Sequence, residues 1–221
     1  MLAIEDEHDP VQRRYRLTVR QTTPPTPGQP VKAPLHLPLA LALLERASGR
    51  ELPLRLVGEP AGPATGANRP TTRVLEVRQA EQTFVFEDVA EPPVPSLLRG
   101  FSAPVRLTRP RPAEELTFLM AHDRDGFNRW EAGQMLATRL ALALLEDWRA
   151  GRPLTLEPGF VAAVARQLAS ADEDPAFAAL ALTLPGESQL GQQMAEVDVD
   201  RSEEHTSELQ SHHDLVCRLL L

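Results

Sequence analysis

The sequence predicts an all-β sandwich followed by an α-helical segment of antiparallel helices. Three observations carry that expectation. Short apolar runs that alternate with polar residues recur, between turn signals, up to about Leu107. Prolines then cluster in Arg109-Pro110-Arg111-Pro112. Beyond them the apolar residues recur at three- and four-residue steps, the period of a helix.

The first strand is expected at Tyr15–Arg20, where Tyr15, Leu17 and Val19 point one way and Arg16, Thr18 and Arg20 the other. Prolines 24, 25, 27, 30 and 34 with Gly28 make the next stretch an extended loop. Leu35, Leu37, Leu39, Leu41 and Leu43 alternate again, but Pro38 cannot donate to a ladder, so this strand is expected at an edge or with a bulge. Residues 47–50, Ala-Ser-Gly-Arg, form a turn, and Leu52, Leu54 and Leu56 make a short strand in spite of Pro53. Gly, Pro and Ala fill residues 57–72 and predict a mobile loop. Strand character resumes at Val74–Val77 and Thr83–Phe86, and a last strand is expected over Phe101–Leu107.

After the proline cluster, Glu114 and Glu115 suit the first turn of a helix, where the backbone N–H groups favour negative charge. Asp125 is placed to cap a longer helix, about Phe127 to Arg149, with Trp130, Gln134, Ala137, Ala141 and Leu144 on one stripe. Gly151 stops it. Pro158 opens a third helix, Phe160–Ala169, with Val161, Val164 and Leu168 on one face, and Pro175 opens a fourth that runs to about Leu184. Short connections make consecutive helices antiparallel neighbours, and no sequence repeat marks a solenoid.

Composition excludes several classes of function. The chain of 221 residues carries a formal net charge of −8, which argues against nucleic-acid and anionic-membrane partners. Its 22 arginines and single lysine, Lys32, fit codon bias rather than a basic face. No apolar run reaches the ~18 residues of a membrane span. Met1–Pro10 has Glu5, Asp6, Glu7 and Asp9 but no basic residue, unlike a secretory signal. The one cysteine, Cys217, cannot form an internal disulfide.

The residues suggest no catalytic, metal-binding or substrate-binding set. The histidines are His8, His36, His122, His205, His212 and His213, and no H-E-x-x-H string occurs among them. His36 reads as an exposed strand position and His122 as a cap or charge partner. His212-His213-Asp214 reads as a solvated tail. Asp123-Arg124-Asp125-Gly126 fails as a calcium loop, because the positions that should be acidic are Ala121 and Ala132; helix capping accounts for both aspartates. Ser96 and Ser102 have no histidine nearby in sequence, no G-x-S-x-G elbow exists, and Gly58, Gly62 and Gly66 lack a phosphate-loop spacing.

Five separated segments nevertheless have specific wording: residues 15–24, YRLTVRQTTP; 26–38, TPGQPVKAPLHLP; 74–86, VLEVRQAEQTFVF; 93–105, PVPSLLRGFSAPV; and 115–134, ELTFLMAHDRDGFNRWEAGQ. In this order they resemble the alanyl aminopeptidase N branch of the M1 zinc metallopeptidases, over about residues 10–200. The resemblance implies an immunoglobulin-like sandwich and the opening of a large helical domain, both downstream of the catalytic domain. That domain's H-E-x-x-H zinc helix and G-x-M-E-N motif do not occur in this chain, so no catalytic or zinc residue transfers to it. What is implied is an inactive part of an enzyme whose zinc lies elsewhere. The expected partners are the catalytic domain of the same polypeptide and, for the parent, peptide substrates. The expected location is the cytoplasm.

Residues 201–211, RSEEHTSELQS, resemble the translation of a sequencing adapter. The expected organisation is therefore a remnant over 1–13, the sandwich over 14–108, the start of a helical domain over 109–200 and a non-native tail over 201–221. The alternatives are a free-standing sandwich and helix interaction module, which would show a mostly polar surface, and a hydrolase with an unrecognised serine site, which needs a convergent Ser–His pair.

Overall fold

The computed structural model describes residues 1–60, 69–169 and 171–194, apart from the side chain of Glu187. The middle of the expected mobile loop, residues 61–68, lies outside the described residues. So do residues 195–221, which include the adapter-like stretch, His205, His212, His213 and Cys217. The chain forms two compact units, Met1–Arg129 and Trp130–Leu221.

The first unit opens with β1 (Leu2–Asp9), β2 (Arg14–Gln21), β3 (Leu37–Leu44) and β4 (Thr72–Val77). Next come β5 (Glu81–Phe86), β6 (Val94–Leu97), a 3-10 turn (Arg99–Phe101) and β7 (Leu107–Thr108). One sheet has the order β5-β2-β1-β7 and the other β4-β3-β6. All pairs are antiparallel except β1 with β7. Leu2, Ile4, Tyr15, Leu17 and Val19 of one sheet meet Leu39, Leu41, Leu43, Leu75, Val77 and Leu97 of the other in a single core. Burying each such side chain stabilises the fold by about 1.5–3 kcal/mol.

β3 is buried on both faces from Leu39 onward. Its second face carries Ala40, Ala42 and Leu44. The 3-10 turn packs on β3, and helix α1 (Ala113–His122) packs on β6, so part of this outer face is covered as well. α1 and the first residues of α2 (Gly126–Arg149) thus belong compactly with the strands, while secondary structure changes from strand to helix after Thr108.

Several expectations are corrected. Residues 1–13 are not a remnant, since β1 lies inside its sheet with all eight residues paired to β2. Its outer half, Glu5 to Asp9, is acidic and hides the apolar alternation of Leu2 and Ile4. β3 is the middle strand of its sheet, not an edge. Pro38 is tolerated because β6 joins only from Leu41, leaving β4 as the sole neighbour at Pro38. Leu52–Leu56 forms isolated bridges at Glu51 and Leu56 rather than a strand, consistent with Pro53 between them. The last strand shrinks to Leu107–Thr108. The strand ahead of it, β6, includes Pro95, which an edge strand accepts.

The second unit holds the rest of α2, α3 (Pro158–Ala169), α4 (Pro175–Leu182) and α5 (Glu187–Gly191). Asp174 caps α4 by accepting from Phe177 N, with Pro175 in the first turn. α3 and α4 pack together, and Gln134 Nε2 donates to Thr183 O over 2.7 Å. The buried stripes are shifted from those expected. α2 buries Ala132, Leu136 and Ala137; α3 buries Phe160, Ala163, Val164 and Gln167 and leaves Leu168 exposed. These helices are so rich in alanine that more than one apolar stripe fits their sequence, and the large Phe160 sets the phase of α3.

Candidate interaction surface

The segment Leu98-Arg99-Gly100-Phe101 leaves β6 in an unusual conformation. Leu98, Gly100 and Phe101 have φ of 56°, 58° and 51°, the left-handed region. For the two non-glycine residues this costs on the order of 1–2 kcal/mol each. A ring of polar contacts holds it. Arg99 Nε donates to Ser96 Oγ at 3.1 Å, Nη1 to Thr72 Oγ1 at 2.5 Å, and Nη2 to Glu51 Oε1 at 2.5 Å and Asp123 Oδ1 at 2.9 Å. Asn128 Nδ2 donates to Ser96 Oγ and Leu97 O, both at 2.9 Å. Asp125 closes the ring. Its N donates to Asp123 Oδ1, its Oδ1 accepts from Asn128 N at 2.9 Å, and its Oδ2 accepts from Gly100 N at 2.7 Å.

The Arg99–Glu51 pair stays ionised although both side chains are buried. Burial pulls the Arg99 pKa down, but its bonds to Glu51 and Asp123 outweigh that and raise it. Burial pushes the Glu51 carboxyl up, and Thr71, Arg99 and the nearby charge of Arg124 hold it below its ordinary value.

This scaffold turns Phe101 outward. Its side chain is 54% exposed and meets Phe127, 37% exposed, edge to face at 5.4 Å between centroids. On β4 Val74 is 58% exposed and pairs across the strands with Ala40. Ala40, Thr72, Arg99, Gly100, Arg124 and Asp125 line a surface pocket of about 340 Å³. Ala40 and Gly100 form the apolar part of this lining, and Thr72, Arg99, Arg124 and Asp125 the polar part.

A second buried cluster ties the linker to the sandwich. Tyr15 Oη donates to Asp6 Oδ2 at 2.9 Å, Arg109 Nε to Asp6 Oδ1 at 2.7 Å, and Arg109 Nη1 pairs with Glu115 of α1. Burial and then the Asp6 charge raise the Tyr15 pKa well above the ordinary value, so the phenol remains a neutral donor.

Asp125 caps α2 as the sequence suggests, and Asp123 is the C-cap residue of α1, its N donating to Leu119 O while its side chain pairs with Arg99. His122 stacks on Phe118 at 4.7 Å. His36 precedes β3, more than half exposed, near Glu76, and His8 Nε2 meets Val89 O. The hydroxyl of Ser96 serves Arg99 and Asn128, and that of Ser102 accepts from Ala40 N. Among the described residues neither is hydrogen-bonded to a histidine, while His205, His212 and His213 lie outside them. Among the described residues no group of three or more His, Cys, Asp or Glu side chains could hold a metal ion, so they do not fit the zinc of the resembled family. Among them, too, no helix is long and apolar enough to cross a membrane.

Sequence reasoning missed Arg99, Glu51, Thr72, Phe101 and Asn128. The one local signal was a charged residue, Arg99, directly after the apolar run Val94–Leu98.

Comparisons with known proteins place this architecture. Residues 1–110 match the family model "Domain of unknown function (DUF3458) Ig-like fold". Residues 113–215 match "Domain of unknown function (DUF3458_C) ARM repeats". The helices are therefore of a repeat family that the sequence alone did not reveal. Aminopeptidase N of Escherichia coli (strain K12) is 40% identical over 193 residues, 87% of this chain and 21% of the relative. Aminopeptidase N of Haemophilus influenzae is 34% identical over 199 residues, 90% of this chain and 22% of the relative. The crystal structure of Legionella pneumophila aminopeptidase A in complex with aspartic acid superposes with a TM-score of 0.69 at 26% identity, covering 99% of this chain and 22% of that one. The chain thus spans about a fifth of the length of the relatives it matches.

Proposed function

Because the chain belongs to the paired DUF3458 Ig-like and DUF3458_C ARM-repeat families, we propose that it is a non-catalytic part of a cytoplasmic zinc aminopeptidase N. The parent hydrolyses N-terminal residues from peptides, with zinc polarising the scissile carbonyl and activating water. This part supplies structural support and the first helices of a cap over the peptide chamber. Its partner is the catalytic domain of the same polypeptide. The observation that carries the reading is the continuous match of nearly the whole chain to about a fifth of each of two aminopeptidases N. The buried charged clusters agree with it, since their residues lock one element to another.

The test is long-read sequencing of the source DNA across both ends, then assay of an alanine anilide substrate. The expected result is an upstream frame encoding an H-E-x-x-H helix and a different continuation after Asp200. Activity then requires the full polypeptide, and the 221-residue chain alone shows none. A stop codon ahead of Met1, with residues 201–221 genomic, would instead make the chain a free-standing interaction module.

A further inference from the structure

We propose that the Arg99 ring holds an internal water molecule, which accepts from the Ser96 hydroxyl and donates to Asp123 Oδ2 and Asn128 Oδ1. This site is independent of the function proposed above.

The hydrogen bonds of the ring carry the assignment. Asp123 Oδ2 and Asn128 Oδ1 are buried and accept from no donor among the described residues. The other polar atoms of both side chains are engaged. Asp123 Oδ1 accepts from Arg99 Nη2 and Asp125 N. Asn128 Nδ2 gives its two hydrogens to Ser96 Oγ and Leu97 O. Reversing the Asn128 amide would set its oxygen against Leu97 O, so this orientation stands. Ser96 offers the complement. A hydroxyl has two lone pairs and one hydrogen. Arg99 Nε and Asn128 Nδ2 occupy both lone pairs, and the hydrogen is free to donate. The ring therefore lacks two donors and one acceptor. One water provides all three, and about three bonds are usual for an internal water.

The three groups stand around one edge of a guanidinium. Nε and Nη2 of Arg99 lie side by side, and they hold Ser96 Oγ at 3.1 Å and the Asp123 carboxylate at 2.9 Å. The Asn128 amide reaches the same Ser96 Oγ over 2.9 Å. Ser96 and Asp123 are 1% exposed and Asn128 5%, so a molecule bonded to all three is shut off from bulk solvent.

Charge selects the occupant. A metal cation would stand against Arg99, already paired with Asp123, and would meet two free oxygens where a hard cation takes about six or more. An anion would face two acceptors. Water can donate to both, and ordering one water costs less than leaving a buried carboxylate oxygen without a donor.

The test is a high-resolution crystal structure of the 221-residue chain, from crystals grown with and without thallium(I), a heavy monovalent cation visible by its anomalous scattering. We expect a fully occupied peak about 2.5–3.0 Å from Ser96 Oγ, Asp123 Oδ2 and Asn128 Oδ1, without anomalous signal. In Asn128→Leu the peak should be lost; if that variant does not fold, the unaltered chain decides alone. An anomalous peak at this place makes the occupant a cation and overturns the proposal. So does the absence of any peak, a protein donor in direct contact with either oxygen, or a peak kept at full strength in Asn128→Leu.

Discussion

Replacing Arg99 with methionine tests whether the charged ring is what holds the left-handed segment. Methionine keeps most of the stem and deletes the guanidinium, leaving two carboxylates without their cation. The Glu51 side chain is 7% exposed and that of Asp123 0%. Breaking a buried pair in this way costs about 3–5 kcal/mol. Glu51 keeps its bond from Thr71 and Asp123 its bond from Asp125 N, which places Arg99→Met near the lower end, about 3 kcal/mol at neutral pH. The loss must depend on pH. In the unaltered chain the Glu51 pKa lies below its ordinary value of 4.5, so its contribution is present above that value and is lost as pH falls through the lowered one. In the variant the Glu51 carboxyl loses the lowering effect of Arg99, protonation becomes easier, and acidification relieves the penalty. The stability gap between the two proteins therefore narrows as pH falls from 7 towards 4.5. The assay is urea unfolding monitored by the fluorine resonance of 3-fluorotyrosine at Tyr15, the single tyrosine, which lies in the sandwich core. A deficit at neutral pH below about 1 kcal/mol, or one unchanged by acid, would refute the electrostatic account and leave lost packing as the cause.

The geometry sets three further outcomes. The Tyr15 phenol is held neutral above its ordinary value of 10.0, so this contribution is complete below pH 10.0 and is lost as pH rises beyond it; phenolate absorbance should appear only together with unfolding, and a reversible titration near 10.0 in the folded chain would contradict this. Gly49 has φ +72°, and a Cβ there would lie 2.3 Å from His122 Nδ1, so Gly49→Ala should destabilise by more than about 1 kcal/mol, with His122→Ala in the same chain recovering only the steric part. Asp125→Ala removes the acceptor for both Asn128 N and Gly100 N and should cost about 1–2 kcal/mol; amide exchange at Gly100 and Asn128 should quicken, and unchanged exchange at both would show that other groups hold the segment.

The parts of this fold that are legible in the sequence have local causes. β2 shows in Tyr15, Leu17 and Val19 because one face is core and the other solvent, and the start of α4 shows in Asp174-Pro175 because a cap and a first-turn proline are neighbours in sequence. β1 is illegible because its apolar residues end at Ile4, and charge holds the rest of the strand. Glu5 reaches Arg20, and Asp6 reaches Tyr15 and Arg109, partners that only the folded sheet brings close. The Arg99 ring is hidden more completely. Its members stand at 51, 72, 96, 99, 123, 125 and 128, and no spacing rule joins a loop glutamate to a helix cap. The acidity of Asp123 serves a guanidinium from the preceding turn, and that of Asp125 the N–H groups of Gly100 and Asn128.

A buried charged cluster seldom makes a fold more stable than apolar residues of the same volume would, but each of its bonds has a direction. Apolar packing alone would tolerate several settings of the segment from Leu98 to Phe101, whereas Arg99 satisfied on Ser96, Thr72, Glu51 and Asp123 accepts one. The second cluster does the same for the linker, where Arg109 joins Asp6 of β1 to Glu115 of α1. Both networks therefore fix where strand ends and helix starts lie, and the residue most visibly presented as a result, Phe101, faces outward.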